Sequence, residues 1–194
     1  MDKKNPTEII LIRHAEPDNG GKLCGRTDIP AFEPPTTRLT SIRSIIPAPA
    51  SLISSPALRC RQTAGWIWPE HPPELVEDLW EQDFGEWEGV PLSDLPDIGD
   101  FDREELAEQR PPNGESFADL FGRVSRELSA LSGKGDSLTL SVHAGVIRAA
   151  LTLASSSSIG VGLGYRIDPL SLTKLTRFPS GQWRIDYVNW QPEP

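Results

Sequence analysis

Two of the three histidines in this 194-residue chain stand in the same kind of place. His14 follows the apolar run Glu8-Ile9-Ile10-Leu11-Ile12-Arg13 and enters a stretch rich in Gly, Pro and Asp. His143 closes Leu138-Thr139-Leu140-Ser141-Val142, and Ala144-Gly145 opens a helical pattern behind it. One histidine at a strand end is ordinarily a packing or surface residue, which is how His71 reads; two at equivalent strand ends point to a shared site. Arg13 precedes His14. Arg59 lies one turn into a helix predicted after Ser54-Ser55-Pro56, where its guanidinium can reach back toward the strand ends, whereas Arg61 reads as a solvated surface charge. Two guanidinium forks, two imidazoles and the free N–H groups of a helix start at Gly145 suit a dianion. A neutral imidazole can attack phosphorus and hold it as a phosphoramidate, dividing one hard displacement into two easier ones. The arginines would stabilise the charge spread over the equatorial oxygens. The leaving alkoxide needs a proton, for which a carboxylic acid is the usual source. Glu81 is a candidate, but six carboxylates fall within residues 77–88, and residue type and spacing do not choose among them.

The elements that must position these groups alternate between strand and helix. Glu8 to Arg13 and Ser137 to Val142 read as strands buried on both faces, and Ser51 to Ser54 as a shorter one. A helix is expected from Thr40 to Ile46, stopped by Pro47. A second should open with Ser55 as N-cap and Pro56 at the first helical position, and run to about Trp68. Leu75 to Leu79 is expected to be extended. Asp102 to Gln109 is a short helix, and Ser116 with Asp119 forms a capping box for a long one over Phe117 to Leu131. Val146 to Leu153 is helical, and the four serines from Ser155 form a turn. Ser171 to Phe178 and Trp183 to Val188 read as an antiparallel hairpin at a sheet edge. The pattern predicts an α/β sandwich with a mostly parallel sheet, whose site lies beyond the carboxyl ends of the strands.

Length and composition narrow the function. The chain fits one domain, residues 1–194, large enough to fold without disulfides or a structural metal. A net charge of −9 argues against nucleic-acid binding. No apolar run is long enough to span a membrane, and Met1 to Pro6 lacks the character of a signal peptide. Cys24 and Cys60, in unrelated contexts, fit a reduced, cytoplasmic protein, and three histidines with two cysteines are a poor stock for a metal site.

The motifs together resemble the histidine phosphatase superfamily, also called phosphoglycerate mutase-like. Leu11-Ile12-Arg13-His14-Ala15-Glu16 is similar to its Arg-His-Gly signature, with Ala15 for the usual Gly. Ser54 to Ala64, Leu79 to Gly89 and Ser141 to Arg148 resemble its further motifs, in the right order, and the resemblance spans residues 8–188. It implies a three-layer sandwich with a mostly parallel sheet and an antiparallel edge. It also implies a site without metal or cofactor. There His14 becomes phosphohistidine, Arg13, Arg59 and His143 complete the phosphate pocket, and Glu81 is the proton donor and later the base. Ala144, Gly25 and Arg26 join the phosphate- or substrate-binding positions. Cys24 to Pro30, Phe84 to Gly89 and Pro111 to Ser116 are similar to the α-ribazole phosphatase branch. Pro17 and Asn19 depart from the family pattern, as does the short segment Thr40 to Ala50.

The partner implied is a small phosphorylated metabolite, and the oligomeric state a monomer or homodimer. A mutase would need a longer, basic lid, whereas the insert at about 88–118 is short and acidic. A non-catalytic phosphate-binding module on the same scaffold is the third reading. Trp80 and Trp87 flank Glu81 and read first as packing residues. The charge is unevenly distributed: residues 70–119 hold 17 Asp and Glu against two Arg, and the remainder of the chain is net basic. The anion pocket draws its cations from the basic part, and the acidic segment supplies the donor and a lid, which disfavours polyphosphates.

Overall fold

The structure, a computed structural model, describes residues 5–97, 99–132 and 137–193. Met1 to Lys4, part of the N-terminal stretch considered above, lie outside the described residues. Six strands form one sheet. They are β1 (Thr7–Arg13), β2 (Leu52–Ser54), β3 (Glu74–Leu75), β4 (Ser137–Val142), β5 (Leu172–Arg177) and β6 (Trp183–Trp190), in the spatial order β3-β2-β4-β1-β5-β6. The first four are mutually parallel; β5 runs antiparallel to β1, and β6 to β5. The predicted α/β class, mostly parallel with an antiparallel edge, is what the chain adopts.

Side-chain alternation explains how the central strands face two helix layers. Ile9 and Leu11 of β1, with Leu138, Leu140 and Val142 of β4, pack against α4 (Phe117–Leu131) and α5 (Ala144–Ser155). Ile12 turns the other way, with Leu52 of β2 and Leu172 of β5, onto α1 (Thr36–Ile45) and α2 (Leu58–Ile67). A strand covered by helices on both sides needs apolar residues at successive positions, which is why β1 reads as a continuous run. The short helix α3 (Arg103–Glu108) carries an Asp102/Glu105 capping box, and α4 carries the Ser116/Asp119 box at its predicted bounds. A one-turn helix, α6 (Ile159–Gly162), follows α5. Among the described residues no helix is long and apolar enough to cross a membrane.

Several boundaries differ from expectation. Helix α1 starts at Thr36 behind Pro35, four residues early, because Leu39 shares its buried face with Ile42. Helix α2 starts at Leu58, not Pro56. The N-cap position is Ala57, two residues beyond Ser55, and Ser55 donates its N–H to Ser141 O at 3.0 Å. The Leu58 N–H is instead met by Asp28 Oδ1 at 2.5 Å, from a loop 30 residues away. The segment expected to be extended to Leu79 is a two-residue strand followed by a tight turn at Glu77–Leu79, which drives Leu79 into the core. Helix α5 begins at Ala144, directly after His143, and stops at Ser156, whose φ of 52° ends it.

Candidate active site

Three parallel strands deliver the first residues. Arg13 of β1 pairs in register with Val142 of β4, so His14 and His143 leave the sheet side by side. The His14 N–H donates to Val142 O at 2.9 Å. Their ring centroids are 5.1 Å apart at 68°, an edge-to-face contact. Beyond β2, the Ser55 hydroxyl lies 2.8 Å from His143 Nε2. All three residues are buried.

The tautomer of His14 follows from its partner. Nδ1 is 2.7 Å from Ala15 O, and a carbonyl can only accept, so Nδ1 carries the proton. Nε2 keeps a lone pair. Burial first and then the Arg59 charge lower the ring's pKa to about 3, with Arg13 adding a smaller push, against the opposing pull of the Ala15 bond. His143 is likewise held well below the usual histidine value, by burial first and then by Arg59 and the neighbouring ring. Both rings are therefore neutral at physiological pH.

Arg59, on the second residue of α2, is 1% exposed. Its two terminal nitrogens donate to Thr27 O at 3.0 Å and Gly25 O at 2.6 Å. A guanidinium has five N–H donors, so the fork is anchored from one side and retains donors for an anion. Thr63, one turn further, accepts from the Ala15 N–H at 2.9 Å and donates to Arg59 O at 2.7 Å, joining α2 to the residue after His14. Arg13 donates to Ile167 O at 2.6 Å, and its Nε is buried without a partner among the described residues. Burial holds the Arg13 guanidinium below its ordinary value, with Glu81 the largest charge acting the other way.

Glu81 sits at the start of α5. Its Oε2 accepts from the Gly145 N–H at 3.0 Å, and Oε1 from Gln82 N–H at 3.0 Å. The helix N-terminus favours an acidic group there. A Cβ at Gly145 would lie 2.2 Å from Glu81 Oε1 and 2.8 Å from Leu120 Cδ2, so a larger residue there displaces the Glu81 carboxylate or Leu120. Arg123 of α4, 7% exposed, donates to the carbonyls of Asp78, Trp80 and Glu81 at 2.7–2.9 Å and to both Glu115 oxygens at 2.9 Å. The donor loop is thus tied to the long helix by one side chain.

His14, Arg13, Arg59, His143 and Glu81 come together, with Ala144 half-buried at the first turn of α5. Arg26 stands at the rim, its guanidinium 5.6 Å from the Trp80 ring, which stacks on His143 at 6.3 Å and 11°. Gly25 presents neither backbone group to the site's interior, because its N–H is taken by Glu88 and its carbonyl by Arg59. Arg61 is exposed and 3.9 Å from Asp28. Cys60 lies against His143, with Sγ 3.5 Å from Nε2; burial pushes its thiol pKa up, so it stays protonated. Ser55, Glu88 and Arg123 are site-forming residues that the sequence reading missed. Ser55 and Glu88 lie inside motifs the sequence reading quoted, and Arg123 left no signal there.

The family model for the histidine phosphatase superfamily (branch 1) matches residues 9–191. The bifunctional protein Rv2228c of Mycobacterium tuberculosis is 26% identical over 196 residues, covering 95% of this chain and 54% of its own length. The chain thus spans about half the length of the curated relatives it matches. An Escherichia coli protein described as a candidate α-ribazole-5′-P phosphatase superposes with a TM-score of 0.84 at 19% identity, over 98% of this chain and 99% of its own. A mycobacterial glucosyl-3-phosphoglycerate phosphatase, solved with VO3, superposes at 0.81 with 22% identity over 94% and 98%. These two share the fold. Four motifs in order and a match over nearly the whole length lead to one conclusion: the chain belongs to the histidine phosphatase superfamily, branch 1.

Proposed function

We propose that this chain is a metal-independent phosphomonoesterase that acts on a small organic phosphate through a phosphohistidine at His14. The observation that carries the reading is a buried, neutral imidazole whose Nδ1 proton is fixed on Ala15 O, which leaves Nε2 as the nucleophile. The His14 Nε2–phosphorus bond forms as the ester P–O bond breaks, and the leaving oxygen takes a proton from Glu81. Water then attacks phosphohistidine and gives its proton to the Glu81 carboxylate, restoring the free imidazole. Arg59, Arg13 with its unpaired Nε, and His143 bind the transferring group.

The leaving group would lie toward a cavity of about 290 Å³ whose lining includes Gln82, Phe84, Trp87, Phe117 and Arg148. Gln82 adjoins Glu81, and Arg148 is one turn beyond Ala144. Aromatic walls with one cation favour a compact, partly apolar alcohol over a polyphosphate, and α-ribazole 5′-phosphate is one candidate. The acidic insert at about 88–118 covers this side, and the protein works in the cytoplasm as a monomer or homodimer. Hydrolysis of p-nitrophenyl phosphate in excess EDTA, abolished in His14→Ala, is the expected result. Undiminished turnover in that variant would overturn the mechanism, and a screen of phosphate monoesters would rank the substrates.

A further inference from the structure

Glu88 is one of the six carboxylates near the donor, yet it does not face the phosphate site. Its Oε1 accepts from the N–H groups of Arg26 at 2.8 Å and Phe84 at 3.2 Å, and its Oε2 from the Thr27 N–H at 3.1 Å and the Thr27 hydroxyl at 2.5 Å. The Gly25 N–H is shared between both oxygens at 3.0 Å. The carbonyls of the same short segment point the opposite way: Gly25 O and Thr27 O receive the two terminal nitrogens of Arg59. The segment is therefore a backbone plate, with one carboxylate below it and one guanidinium above it. It packs so closely that a Cβ at Gly25 would lie 1.8 Å from Gln82 O and 2.8 Å from Glu88 Oε1. Burial alone would push the Glu88 carboxyl up, but the bonds from Thr27, Gly25, Arg26 and Phe84 outweigh it and hold the carboxyl below the ordinary glutamate range.

We infer that Glu88 is a positioning residue for the phosphate-binding Arg59: by gathering the N–H groups of residues 25–27 it fixes the two carbonyls that aim the guanidinium. The inference rests on the proposed role of Arg59 in binding phosphate. It has a sign that a simple charge effect lacks. A carboxylate near an anion pocket repels the anion, so neutralising it should tighten binding if charge were all that mattered. If Glu88 positions Arg59, neutralising it weakens binding, because an amide NH2 set among N–H donors releases the plate.

The test is calorimetric binding of orthovanadate to the wild-type chain and to Glu88→Gln, Arg59→Ala and the double variant. Glu88→Gln is expected to lose about tenfold in affinity, the equivalent of one or two buried hydrogen bonds. The double variant should bind no more weakly than Arg59→Ala alone, since Glu88 acts only through that arginine. Thr27→Val removes one hydroxyl donor and keeps the backbone bonds; it should show a smaller loss of the same sign, and it serves if Glu88→Gln does not fold. Equal or tighter binding by the Glu88 and Thr27 variants, or losses that add in the double variant, would overturn the inference while leaving the proposed function intact. A wild-type chain that binds no vanadate would overturn both.

Discussion

A neutral nucleophilic histidine has a thermodynamic signature that needs no substrate. An exposed imidazole binds its proton near pH 6.5, and folded His14 does so only at about 3. Between these values the unfolded chain holds a proton that the folded chain refuses. Acid therefore favours unfolding: stability falls as pH drops through this window and is unaffected by His14 above it. From pH 7.5 to 4.5 the unfolded ring becomes about 99% protonated while the folded ring stays neutral, which costs about 2.7 kcal/mol. The figure is insensitive to the folded value so long as that value lies below about 4, because the proton's affinity for the unfolded chain sets it. The perturbation is His14→Asn, whose amide can still donate to Ala15 O but cannot titrate. Urea unfolding of both proteins at the two pH values gives a difference of differences, in which the other ionisable groups cancel. His143 stays neutral in both proteins through its own burial and Arg59. The variant is less stable at pH 7.5 through lost packing, yet its stability should fall by about 2.7 kcal/mol less on acidification. Parallel losses, within about 0.5 kcal/mol, would mean that the folded ring carries a proton and would refute the neutral nucleophile.

Two further outcomes follow from the donor loop. Arg123→Met leaves three carbonyls and the Glu115 carboxylate without their shared partner. It should cost about 3 kcal/mol, a drop of about 6–12 °C in Tm by calorimetry, and lower kcat more than it raises KM. Gly145→Ala drives a methyl against Glu81 Oε1 and Leu120. Turnover of an alkyl phosphate should fall about a hundredfold, whereas p-nitrophenyl phosphate, whose leaving group needs little protonation, should lose far less; equal losses would show that Gly145 does not act through the acid.

The legible part of this protein was the part encoded locally. The run ending at Arg13 is apolar on both faces, a pattern that suits a strand between two helix layers, and the run ending at Val142 is apolar on one face with buried Thr139 and Ser141 on the other, so both read as buried strands and the two histidines fell at equivalent strand ends in the sequence. The capping box at Ser116 is a four-residue signal and fixed the start of α4 for the same reason, and a second box at Asp102 starts the short helix that was expected there. Ser55-Pro56 failed as a helix start because the chain stays non-helical through Ala57 and the first helical N–H, at Leu58, is met by Asp28, 30 residues away in the chain. The carboxylate cluster shows the limit most clearly. In sequence the six acids between 77 and 88 are alike; in space they are sorted by what already holds them. Glu88 is held by the N–H groups of residues 25–27, away from the phosphate site, Asp83 accepts from the Gly85 N–H and Glu86 from the Asn113 amide, while Glu81 reaches the start of α5 beside Arg13. The proposed acid is therefore distinguished by where each carboxylate is held, and the partners that hold Glu88 away from the phosphate site and Glu81 beside it lie 61–64 residues away in the chain.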